Sequence, residues 1–203
     1  MTPTEASAHA RPRVEGDRER EILEAALQVL ADVGYDRLTM DAVAARARAS
    51  KATLYRRWST KVSLVIDALV LQKGPTMIPD TGSLRGDLLE VFCGMGALDH
   101  EAVSTLSSVL TAIDRDEEFA REFRERVIGP KLAVSRTLYE RALARGEVRE
   151  DLDVSLFGPA LAGILLHRAY LMGEAPTAER VARVVDQIIL PAALAPTAKE
   201  SHG

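Results

Sequence analysis

The feature that most constrains this chain is a rhythm of short apolar stripes cut by capping residues between Arg18 and Gln72. Ile22, Ala26, Val29, Leu30 and Val33 recur at three- and four-residue steps, which is the period of one helix face. Gly34 follows at once, where a left-handed helix end is expected. Thr39 offers a cap oxygen for a short helix from Met40 to about Ala47, and Ser50 offers one for Lys51 to Arg57. Arg48-Ala49 is all that lies between those helices, so the chain must turn tightly there. Ser59-Thr60 caps a fourth helix, Lys61 to about Gln72, apolar nearly all round from Leu64 to Leu71. Such a helix is buried on most sides, and this one is placed to join an N-terminal module to a larger body.

The rest of the chain also reads as helix. Residues 73–83 are rich in turn formers and mark the clearest boundary. Ser83 can cap a helix to about Leu98, and another runs from Glu101 to about Ile113. Asp114 or Asp116 opens the next, which Gly129-Pro130 should kink or break. It resumes from Lys131 to about Ala144 and stops at Gly146. Asp153 caps a long apolar helix to about Met172, and Thr177 caps a last one that ends near Pro191 or a little beyond. No segment alternates with the period of a strand. The expectation is an all-α protein.

Composition excludes several classes. The single Cys93 can form no internal disulfide, zinc finger or CxxC centre. The four histidines are scattered and no Glu-x-x-His occurs, which speaks against a carboxylate-bridged metal enzyme; no metal or cofactor is expected. The longest apolar run, Leu156 to Leu166, is too short to span a bilayer. Residues 1–20 lack the apolar stretch of a signal peptide. A cytoplasmic protein without membrane partners is expected. Residues 1–16 have no periodicity and are expected to be a disordered arm.

Charge is distributed unevenly. The formal net charge is −4, yet residues 11–61 hold 11 basic and 8 acidic side chains, leaving that stretch at +3 and the remainder at −7. Nothing acidic occurs between Asp41 and Asp67, while Arg46, Arg48, Lys51, Arg56, Arg57 and Lys61 all fall in the gap. A basic surface on an acidic body can hold a polyanion locally and stay soluble. Three short helices over 18–57 with a tight turn before the third make a helix-turn-helix pattern. A helix as short as the third is about 12 Å long and fits the major groove of double-stranded DNA, about 12 Å wide. Lys51, Ala52 and Thr53 lie at its leading end, where free N–H groups can meet a phosphate. Leu54 and Trp58, four apart, would hold its inner face. Trp58 reads as core, not as a platform for a base. Arg56 and Arg57 are suited to phosphate or guanine.

The stretch Thr39–Leu64, TMDAVAARARASKATLYRRWSTKVSL, resembles the DNA-binding segment of TetR-family transcriptional regulators, which read T-x-x-x-I-A-x-x-A-G-V-S-x-x-T-L-Y-x-Y-F-x-x-K-x-x-L. The likeness covers residues 18–64. Arg48 stands where the pattern has the turn glycine, Ala49 for valine, Arg57 for an aromatic residue or His and Trp58 for Phe.

The resemblance implies a three-helix DNA-binding domain over 17–60 and a helical dimerisation and ligand-binding bundle over 61–203. Thr39, Tyr55 and Lys61 would hold phosphates. Ser50, Lys51 and Thr53 would sit at base edges or adjacent phosphates, with Arg48 adding a charge beside them. The family also implies a homodimer through 154–172 and 177–195 on a pseudo-palindromic operator, with release by a small-molecule effector. The apolar stripes Leu156, Ala160, Gly163, Ile164, His167 and Val181, Val184, Val185, Ile188 suit that dimer. Phe92, Cys93, Met95, Phe123, Tyr139, His167, Tyr170 and Met172 are candidates to touch an effector. A competing expectation is a helical interaction protein that keeps the fold but has lost DNA binding; Arg48 is the residue that favours it.

Overall fold

A computed structural model of the chain describes residues 11–72, 78–93 and 100–194. Helices dominate, and among the described residues the only sheet-like pairing is one antiparallel bridge between Val148 and Leu194. In order, the helices are α1 (Arg11–Arg37), α2 (Met40–Arg46), α3 (Lys51–Arg57), α4 (Lys61–Gln72), α5 (Leu84–Cys93), α6 (His100–Arg115), α7 (Glu117–Phe123), α8 (Gly129–Ala144), α9 (Val154–Leu171), α10 (Ala178–Val184) and α11 (Leu190–Ala193).

Most boundaries are set by local caps. Thr39 Oγ1 accepts from the Ala42 N–H at 3.1 Å, and Ser50 Oγ from the Thr53 N–H at 3.1 Å. Thr60 Oγ1 accepts from the Ser63 N–H at 3.1 Å, and Ser83 Oγ from the Gly86 N–H at 3.1 Å. Asp116, Asp153 and Thr177 do the same for α7, α9 and α10. Each cap satisfies an N–H that a helix start leaves without a partner. Gly34 (φ 77°) interrupts the helical backbone of α1 where an end was expected. The beginning differs: α1 starts at Arg11, so residues 11–16, expected to be disordered, are helical. The expectation for residues 1–10 lies outside the described residues, as does the end of the α5 helix beyond Cys93.

Pro130 does not break its helix. A proline lacks the N–H and crowds the carbonyl four residues earlier. Here the backbone widens into a π turn, Arg124–Ile128, immediately before it, which displaces that carbonyl. A second π turn, Val185–Ile189, precedes Pro191 in the same way.

The described residues form two compact units, one of residues up to 74 with 104–127, the other of 75–103 with 128 onward. Helices 18–72 alone therefore do not make up the first unit. In it, α4 packs on α1 and on α7. Val62, Leu64, Val65, Ile66, Ala68 and Leu69 are all buried, so α4 is enclosed as its composition requires. Each large apolar side chain among them contributes about 1.5–3 kcal/mol by leaving water. The second unit has its own core, built on Leu84, Leu88, Leu138, Tyr139, Leu161, Val181 and Val185.

Candidate nucleic-acid interface

The turn between α2 and α3 decides how α3 is presented. Arg48 is in the left-handed region (φ 50°), the one non-glycine residue with positive φ among the described residues. The Arg48 N–H donates to the Ala45 carbonyl at 3.2 Å, and the Ala49 N–H to the Ala44 carbonyl at 2.9 Å. That pair of bonds is the Schellman closure of a helix end. Its usual glycine costs nothing at such a φ, whereas a side chain costs about 1 kcal/mol. The turn therefore forms despite Arg48, which stands exposed beside α3.

Helix α3 has two faces. Leu54 is fully buried, and Trp58 is buried with its Nε1–H donating to Asp67 Oδ2 on α4 at 2.8 Å. The other carboxylate oxygen of Asp67 accepts from Arg126 at 2.6 Å. Trp58 is thus a core anchor, as its spacing from Leu54 implied. On the outer side Lys51, Ala52, Tyr55, Arg56 and Arg57 are exposed and Thr53 is half-buried. Tyr55 keeps 54% of its surface in water, unusual for an aromatic side chain without an external partner. Ser50 Oγ and Thr53 Oγ1 lie 2.8 Å apart at the leading end. Thr39 is exposed at the start of α2; its oxygen caps that helix and leaves the hydroxyl proton free to donate.

Several of these cations already have internal partners. Lys51 Nζ lies 2.5 Å from Asp41, and Arg57 Nη2 lies 3.0 Å from Glu19. The carboxylate of Asp41 raises the Lys51 pKa, and that of Glu19 raises that of Arg57. Arg46 pairs with Asp32 at 2.7 Å. Exposed pairs of this kind are weak and screened by salt, so a phosphate can displace them. Arg48 and Arg56 have no ion pair among the described residues.

Lys61 is placed differently. Half-buried, it donates to the Tyr35 carbonyl at 3.0 Å and lies 4.0 Å over the Tyr35 ring. Arg18, which the sequence did not single out, reaches from α1 to the α2–α3 turn and donates to two of its carbonyls. No local pattern marks a contact across that separation in sequence.

The expected effector residues do not form one group. Tyr139 and Phe92 share the core of the second unit, and Phe123 is buried in the first, stacked on Phe119 at 6.0 Å. Cys93, His167 and Met172 are exposed, and Tyr170 is half-buried. Met95 lies outside the described residues. The Tyr139 hydroxyl is buried without a hydrogen-bond partner, and burial pushes its pKa up to about 12.

A two-helix unit with a tight turn, an anchored inner face and a polar, cationic outer face on the second helix defines a helix-turn-helix DNA-binding protein. Residues 22–68 match the family model "Bacterial regulatory proteins, tetR family", and residues 78–188 match "Tetracyclin repressor-like, C-terminal domain". The chain is 36% identical over 178 residues to an HTH-type transcriptional regulator of Mycobacterium bovis, covering 86% of this chain and 87% of that one. It is 37% identical over 179 residues to a DNA-binding transcriptional repressor TetR of Mycobacteroides abscessus, covering 85% and 92%. A solved TetR family transcription regulator superposes with a TM-score of 0.59 at 26% identity, covering 85% of this chain and 97% of that one. The chain belongs to the TetR family. It is a DNA-binding transcriptional regulator and not an enzyme.

Proposed function

We propose that the chain acts in the cytoplasm as a homodimeric repressor that binds a pseudo-palindromic operator and is released by a small-molecule effector. The observation that carries the DNA-reading part is the outward display of Lys51, Tyr55 and Arg56 on a helix pinned from behind by Leu54 and Trp58. Ser50, Lys51 and Thr53 read base edges or the phosphates next to them; Thr39, Arg48, Tyr55, Arg56 and Arg57 hold the backbone. The turn makes its closing hydrogen bonds even with Arg48 at a positive φ, which supports DNA binding over a fold that has lost it.

Support for the dimer comes from α9. Leu156, Gly163, Leu166, His167 and Leu171 are exposed at helical spacing, with Met172 beyond them. By length and composition this helix could cross a membrane, and 11% of it is buried within the chain. A second copy would cover that face. Two sequence expectations change here: Ala160 and Ile164 of the first stripe are half-buried against the chain's own core, and Val181, Val184 and Val185 belong to that core, so of the second stripe only Ile188, 49% exposed, is free to meet a partner. Two copies would set their α3 helices about 34–36 Å apart, or at a related spacing, on one face of the duplex.

An effector acts only through its differential affinity for two spacings of those helices. A hundredfold release requires about 2.7 kcal/mol. The unpartnered Tyr139 hydroxyl is the group in the second core best suited to meet a polar atom of such a ligand.

The test is fluorescence anisotropy of the full chain on the duplex it selects from random sequence, at stated salt, beside sedimentation at micromolar concentration. Salt-dependent, sequence-selective binding by a dimer is expected. Failure to bind any duplex at low salt overturns the DNA reading, and a stable monomer overturns the dimer.

A further inference from the structure

We infer that Arg18 is a positioning residue for DNA reading: its guanidinium braces the turn in which Arg48 is strained, and so fixes the pose of α3. This rests on the assignment of α3 as the reading helix.

The last carbonyls of a helix have no partner within it. At the end of α2, the Ala47 and Arg48 carbonyls both accept from Arg18 Nη2, at 2.9 and 2.7 Å. The other terminal nitrogen, Nη1, pairs with Glu21 one turn along α1, which orients the guanidinium. A cation is also the favourable charge at a helix C-terminus. The brace therefore joins α1 to residues 47 and 48, and the α3 cap, Ser50, follows two residues later.

Arg48 gives this contact its purpose. It adopts φ 50° with a side chain in place of the glycine that reaches such a φ freely. Left alone, such a turn tends to relax toward ordinary φ, and any relaxation swings α3. Nη2 of Arg18 is engaged by both turn carbonyls, so in this proposal the residue acts through the turn and not through a phosphate.

The experiment uses the full-length protein as wild type, Arg18→Met, Arg18→Lys, Arg48→Gly and the double variant Arg18→Met with Arg48→Gly. Each is titrated across a salt series against the selected duplex and a scrambled one. Arg18→Met should lose about tenfold on the selected duplex, change little on the scrambled one, and keep the wild-type salt slope, since no phosphate contact is removed. Arg18→Lys should recover part of the loss. In the Arg48→Gly background the Arg18→Met loss should shrink to about twofold or less, because a glycine turn no longer needs a brace. A uniform loss on both duplexes with the slope reduced by about one unit overturns the inference and makes Arg18 a phosphate contact. Wild-type affinity in Arg18→Met, or an equal loss in both backgrounds, also overturns it. If the wild type binds neither duplex, the DNA reading itself fails, which is a separate result.

Discussion

Lys61 lies over the face of Tyr35, its ammonium 4.0 Å from the ring centroid, and donates to the Tyr35 carbonyl at 3.0 Å. The Tyr35 hydroxyl donates to Asp116, the cap of α7, at 2.7 Å, and its ring meets Phe119 at 4.7 Å. The end of α1, the start of α4 and the start of α7 thus meet at one tyrosine. The lysine expected to hold a phosphate thus also has partners within the protein.

Lys61→Met should therefore act first on stability. The lost hydrogen bond and cation–π contact are together worth about 1–2 kcal/mol, and a chain of this size loses about 2–4 °C in Tm per kcal/mol. Thermal melts check the fall. The salt slope of DNA binding should stay at the wild-type value; a slope lowered by about one unit would instead put the ammonium on a phosphate.

Tyr35 and Asp116 predict an acid-side effect. The Phe119 N–H first, then the Tyr35 hydroxyl and Lys61, hold the Asp116 carboxyl below the ordinary carboxylate range. A carboxylate with a depressed folded-state pKa stabilises fully above its ordinary value. That contribution is lost as pH falls through the folded-state value. Asp116→Asn should therefore be less stable than wild type near neutrality and converge with it on acidification. Tyr35→Phe should cost about 1–3 kcal/mol by removing a hydrogen bond to a charged group. Denaturant titrations across the acid range test both.

Asp41→Asn frees Lys51 and removes a negative charge beside the reading helix. Affinity for the selected duplex should rise a few-fold at low salt, and the gain should fade as salt screens it. The fold should keep its wild-type stability, since the pair is exposed. An Asp41→Asn protein with weaker DNA binding would show that Asp41 orients Lys51 and does not compete for it.

Tyr139→Phe removes a buried hydroxyl that has no partner. The variant should be as stable as wild type or about 1 kcal/mol more stable, because an unsatisfied polar group is costly to bury. Burial raises the Tyr139 pKa to about 12, so the wild type should lose stability as pH climbs from the ordinary tyrosine value of 10.0 toward 12. Tyr139→Phe should lack that part of the alkaline loss. Denaturant titrations near neutrality and in alkali measure both effects.

The helical pattern was legible because its signals are local. Thr39, Ser50, Thr60, Asp116, Asp153 and Thr177 each cap a helix through an N–H two or three residues ahead. The split of α3 into an inner and an outer face followed from Leu54 and Trp58 for the same reason. At Pro130 the sequence showed a conflict but not its resolution: a π turn needs one extra residue per turn, which leaves no mark in composition.

Caps, spacing and the acid-free run from Arg46 to Lys61 determined that this chain is helical and that α3 carries a cationic face, because each is decided within a few residues. Only the tertiary structure decided which charges have partners within the protein: Lys61 at Tyr35, Arg18 at the turn of Arg48, Lys51 at Asp41. It also decided that Val181, Val184 and Val185 face inward while Leu156 and Leu171 face out. Those outcomes depend on partners far along the chain, and helix periodicity states that a face is apolar without stating what covers it.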